Sequence, residues 1–109
     1  DTETFSKMDP YCKLSTAHNS QDFRTETLDG AGKTPEWNET FTIEVSSMTD
    51  ELKVEVHEAD PINDDEIGQI SIKLNELCDS AGIDEWYTIM YEGKSAGEVH
   101  LKTSWASAS

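Results

Sequence analysis

The chain has 109 residues, 35% hydrophobic and 28% charged, and its 23 acidic against 8 basic side chains give a formal net charge of −15. One domain is expected, since independent domains run to about 100–200 residues and no second block of composition appears. No apolar run approaches the roughly 20 residues that cross a bilayer, and scattered basic residues in so acidic a chain exclude nucleic acid as the expected partner.

The N-terminal DTETFSKMDPY has no basic stretch followed by an apolar one, so it carries no secretory pattern. Strand candidates follow at 11–16 and 22–28, before turn chemistry at Asp29-Gly30, Gly32 and Pro35. Phe41, Ile43 and Val45 alternate with polar residues through 39–46. Leu52, Val54 and Val56 repeat the beat, as do Ile70, Ile72 and Leu74. Residues 75–81 suggest a helical turn with Asn75 as N-cap and Gly82 as stop. Strands at 85–91 and 98–104 complete seven, and an Ala/Ser tail follows at 106–109. Evenly spaced short strands with one buried face predict an all-β antiparallel sandwich whose loops gather at the sheet ends.

Two acidic groups fall in turns: Asp1, Glu3 and Asp9 in the first, and Glu58, Asp60, Asp64, Asp65 and Glu66 in the second. Irregular backbone rich in carboxylates is what calcium needs, because the ion takes six to eight oxygens at about 2.3–2.6 Å. Solvated turn acids of an acidic protein are the plainer alternative. An EF-hand is excluded, since no D-x-[DN]-x-[DN]-G with its later Glu stands between two helices.

KMDPYCKL at 7–14, KTPEWNETFTIEV at 33–45, LKVEVHEADPINDDEIGQISIKL at 52–74 and WYTIMYEGKSAGEVHLKTSW at 86–105 together resemble the C2 domain, in its stand-alone plant or protist form, over nearly the whole chain. The resemblance implies an antiparallel Greek-key sandwich of eight strands, with residues 1–105 as the domain and 106–109 as tail. It also implies calcium-dependent attachment to anionic phospholipid, peripheral at membranes in the cytoplasm. Loops one and three would ligate the ion through Glu3, Asp9, Glu58, Asp60 and Asp65, with Asp64 or Glu66 able to replace Asp65 because the loop is one residue short.

Two departures qualify the resemblance. Glu3 and Glu58 stand where the family has aspartate, and the added methylene suits a looser site better than a rigid one. The strand that should precede loop one is absent, so seven strands of eight are visible. Its omission opens two neighbours, and a second chain, a protein partner or a segment outside this sequence is expected to supply it.

Phe5 and Ile62, at the tips of loops one and three, are the expected membrane contacts, with Ile62 preferred. Trp37 is expected to anchor a strand start. Cys12 and Cys78 lack CxxC or zinc spacing, which suits reduced thiols and no zinc site. His18, His57 and His100 share no metal spacing, and a structural or surface role is expected for each. Asn38-Glu39-Thr40 matches the glycosylation acceptor by chance, in a pattern the family uses in cytosolic proteins. Lys13, Lys53, Lys73 and Lys102 read as solvated surface rather than a lysine patch. No nucleophilic set has a suitable context, so no enzyme is expected. The alternative to calcium-dependent lipid binding is a calcium-independent protein-interaction module on the same sandwich.

Overall fold

A computed structural model describes residues 9–28, 37–78 and 81–106. Three hairpins make the framework: β1 (Pro10–Thr16) with β2 (Gln21–Arg24), β3 (Glu51–Glu58) with β4 (Asp65–Lys73), and β5 (Ile83–Tyr91) with β6 (Lys94–Thr103). One short helix, α1 (Leu74–Leu77), follows β4. The strands are antiparallel in the order β2-β1-β3-β4-β5-β6. The all-β antiparallel architecture expected from the period-two pattern is therefore present.

Alternation decides which side of each strand faces the core. Leu52, Val54 and Val56 are buried, while Lys53, Glu55 and His57 between them face the other way. Cys12 and Leu14 pair with Val56 and Val54 and join the same core. β4 and β5 share only the Gln69↔Met90 pair, so the β5-β6 hairpin is held mainly by packing. Ile89 of β5, wholly buried, and Val99 of β6 enter the core cluster from that side. β4 meets the β5-β6 hairpin closely at Gly68, where a Cβ would stand 3.0 Å from Ala96 Cβ and 3.2 Å from Ile89 Cδ1.

One residue is inserted into β4. Val56 pairs with Gly68 but His57 pairs with Glu66, so Ile67 is the extra residue of a bulge. Ile67 turns into the core, and Glu66 takes the place opposite His57 on the polar face.

Three expectations about elements need correction. The strand over 22–28 ends at Arg24, where Thr25 ties the chain to β1 instead: Thr25 N–H donates to Cys12 O, and Cys12 N–H to Thr25 Oγ1, both at 2.9 Å. The helical turn starts at Leu74 rather than after an Asn75 cap, because Leu74 and Leu77 both bury their side chains and Lys73 occupies the capping position without a side-chain bond. Residues 39–46 keep the expected alternation, with Phe41, Ile43 and Val45 half-buried, yet belong to no ladder among the described strands. At Glu44 side chains stand in for the neighbour. Glu44 N–H donates to Gln21 Oε1 at 2.8 Å, and Glu44 O accepts from Gln21 Nε2 at 2.7 Å and Asn19 Nδ2 at 3.0 Å. These bonds satisfy the backbone of Glu44 without a ladder partner. Among the described residues six strands are thus hydrogen-bonded where seven were expected, and β6 is an edge.

Candidate functional site

The predicted loop-three residues gather at one end of the sheet. Across three adjacent strands Pro10 pairs with Glu58, and Glu58 with Asp65. Ala59 N–H donates to Asp9 O at 3.0 Å, which fastens the end of the first acidic loop to the start of the third. Asp9, Glu58 and Asp65 therefore occupy neighbouring strand ends, with Asp60 and Asp64 in the turn between β3 and β4. Glu3 and Phe5 lie outside the described residues.

The turn is braced by its own carboxylates. Asp60 Oδ1 accepts from Ile62 N–H at 2.9 Å and from Asn63 N–H at 3.4 Å, an arrangement available to aspartate because its short side chain reaches backbone two residues on. Asp60 N–H donates to Asp64 Oδ1 at 3.1 Å, and the Tyr11 hydroxyl donates to Asp64 Oδ2. The Tyr11 hydroxyl, then the Asp60 amide, hold the Asp64 carboxyl below the usual range, so it stays ionised. Burial, and then the Asp64 carboxylate, push the Tyr11 hydroxyl upward, so it stays a donor. Ile62 stands at the tip with 85% of its surface exposed, its backbone pinned and its side chain in solvent.

The donor chemistry fits calcium: carboxylate oxygens on irregular backbone, with at least Asp64 fixed in charged form. Among the described residues the loop carboxylates are not clustered. Among the described residues, the one group of three metal-capable side chains whose ligand atoms lie within 4.8 Å of one another is Glu55, His57 and Glu66 on the polar sheet face. The loop acids lie near one another without such convergence.

Sequence reading missed the residues that connect loop to sheet. Tyr11, inside the DPY segment, is buried, stacks on His57 with ring centroids 5.4 Å apart, and carries the Arg24 guanidinium 3.7 Å above its ring. The strand register could have revealed His57 beside Tyr11, but the bulge that brings Glu66 there has no local signature. Trp37 packs on the core and donates from Nε1 to Pro10 O at 3.3 Å, so it is tied to the start of β1 and not to a strand of its own segment. Pro35 lies outside the described residues.

A profile described as the C2 domain matches residues 1–89. The 16 kDa phloem protein 2 of Arabidopsis thaliana is 33% identical over 106 residues, which cover 95% of this chain and 71% of that protein. A solved C2 domain-containing protein of an elicitor-responsive gene superposes with a TM-score of 0.82 at 29% identity, covering 100% of this chain and 80% of that one. A calcium-bound structure of the paired C2 domains of extended synaptotagmin 2 gives a TM-score of 0.75 at 30% identity, covering 92% of this chain but 36% of that one.

Proposed function

The chain belongs to the C2 domain family, and on that premise we propose that it is a calcium-regulated module that attaches peripherally to anionic phospholipid, at cytoplasmic membrane surfaces, over residues 1–105. The observation that carries the reading is that Asp9, Glu58 and Asp65 on neighbouring strand ends, with Asp60 and Asp64 in the turn between, lie at the end where Ile62 projects. Those five, with Glu3, would hold the ion. Calcium, when bound, supplies positive charge at an acidic end and coordination positions that lipid phosphate oxygens can take. The chain's own residues do the rest. Asp60 and Tyr11 hold the turn and the Asp64 carboxylate in place. Ile62 offers an apolar side chain whose full removal from water contributes about 1.5–3 kcal/mol. A net charge of −15 opposes contact with anionic lipid until the loop end is neutralised. The role is binding, not catalysis. The calcium-bound relative supports the ligand class.

A second reading draws on a different observation. Both Asp64 oxygens already accept hydrogen bonds within the protein, and β6 presents an open edge among the described strands. A calcium-independent protein-interaction module would use that edge rather than the loops.

Co-sedimentation with phosphatidylserine vesicles separates the two. Binding should require calcium; Ile62→Asp should weaken it while sparing calcium affinity in solution, and Asp60→Asn should weaken both. Equal binding in calcium and in chelator, or an Ile62→Asp variant that sediments like the parent, removes the loop-end mechanism.

A further inference from the structure

Away from the acidic loops, on the polar face of the sheet, the geometry points to a second metal site: Glu55, His57 and Glu66 form a three-ligand site for a divalent transition metal of the zinc type. The ligand atoms of these three side chains lie within 4.8 Å of one another. Glu55 and His57 are two apart on β3, so they share a face, and Glu66 arrives from β4. The bulge makes this juxtaposition, since without the extra residue Ile67 would stand beside His57. Bulges that re-aim a side chain recur next to functional sites.

The Glu55–His57 pair is close to the spacing of a metal smaller and softer than calcium, and Glu66, within 4.8 Å of both, would close in on it. His57 Nε2 and Glu55 Oε1 are 2.9 Å apart with a hydrogen between them. Two ligands at about 2.0–2.1 Å from a tetrahedral ion are about 3.3 Å apart, so exchanging that hydrogen for the ion needs an opening of a few tenths of an ångström. One imidazole nitrogen with two carboxylates suits zinc or cobalt. Calcium would ask for six or more oxygens. Three protein ligands leave a fourth tetrahedral position for water.

Each ligand is also held from behind. Tyr11 stacks on the His57 ring with planes 14° apart and fixes its tilt. Gln69 Nε2 donates to Glu66 Oε2 at 3.3 Å. Lys53 Nζ sits 3.3 Å from Glu55 Oε2 and leaves Oε1 to the metal. The His57 and Glu55 side chains are only 15% and 18% exposed, which spares them much of the ordering cost of a surface site. Outer partners of this kind are what orient ligands in metal proteins. The site shares Tyr11 with the acidic loop, and Glu66, expected as a possible replacement for Asp65, pairs with His57 on the polar sheet face instead.

Isothermal titration of the full chain with zinc chloride, and cobalt(II) absorption in the visible, test the assignment. One zinc per chain should bind, and cobalt should give the intense visible bands of a tetrahedral centre. His57→Gln and Glu66→Gln should each lower zinc affinity by more than about tenfold, the lower bound for losing even an outer-shell partner. His57→Gln, which removes none of the loop carboxylates, should not change calcium binding at the loops by a comparable factor. His100→Gln removes an imidazole bonded to Asp84 on the β5-β6 surface and should leave zinc binding unaltered. Glu66→Gln is isosteric on an accessible strand, so it keeps the test open if His57→Gln fails to fold. No zinc uptake at millimolar metal, affinity unchanged in Glu66→Gln, or loss of affinity in His100→Gln would each overturn the site.

Discussion

Gly68→Ala probes the contact between β4 and the β5-β6 hairpin. Its Cβ would stand 3.0 Å from Ala96 Cβ and 3.2 Å from both Ile89 Cδ1 and Cγ1, where carbon pairs prefer about 3.5–4.0 Å. Ala96 Cβ has no rotamer by which to withdraw, and Ile89 is wholly buried, so the hairpin must shift or Ile89 must leave its rotamer well. Such overpacking costs about 1–3 kcal/mol. Against it stands about 0.4–1 kcal/mol from restricting the unfolded chain. Taking the middle of each range, a net loss of about 1.3 kcal/mol follows, equivalent to a fall of roughly 5–10 °C in Tm for a domain of this size. Urea unfolding followed by circular dichroism measures it directly. Ile89→Val alone should cost about 0.5–1.5 kcal/mol. Combined with Gly68→Ala it should cost less than the sum by at least about 0.5 kcal/mol, because the deleted methyl makes room. A Gly68→Ala variant as stable as the parent, or strict additivity in the double variant, would refute the contact.

Three other outcomes are expected. Asp64 is held low by the Tyr11 hydroxyl and the Asp60 amide, and Glu55, despite its burial, by hydrogen bonds from His57 and Lys53. Carboxylates depressed in the folded state add stability above their unfolded values, about 3.9 and 4.3, and lose it as pH falls through the folded ones; Tm measured from about pH 5 downward should therefore decline, and less steeply in Tyr11→Phe, while identical profiles would contradict the Tyr11 bond. Burial raises the Cys12 thiol to about 12 and raises the more exposed Cys78 thiol less, so a disulfide reagent at mildly alkaline pH should label Cys78 first; simultaneous labelling without unfolding would show that Cys12 is accessible. The β6 edge, open among the described strands, should make the chain self-associate or capture a strand, and sedimentation velocity showing a monomer at every concentration, with cooperative unfolding, would defeat that expectation.

Period-two alternation determined most of the architecture. Leu52, Val54 and Val56 could be assigned inward because a strand whose neighbours turn outward as Lys53, Glu55 and His57 has only one apolar face to bury. The loop acids were legible for a similar reason: Asp60, Asp64 and Asp65 stand in a turn bounded by strands, and the register places that turn beside Asp9. Alternation could not determine whether residues 39–46 would find a neighbour, since a strand exists only through hydrogen bonds to a partner that its own sequence does not specify. Nor could it locate the bulge. Ile67 looks like any apolar residue near a glycine, and only the packing of Gly68 against Ala96 and Ile89, with Ile67 turned into the core, brings Glu66 opposite His57. Tyr11 belongs with these. The sequence places it next to Cys12 on β1, but its hydroxyl reaches Asp64, 53 residues along the chain, only because the β1-β3 and β3-β4 registers bring the two strand ends together.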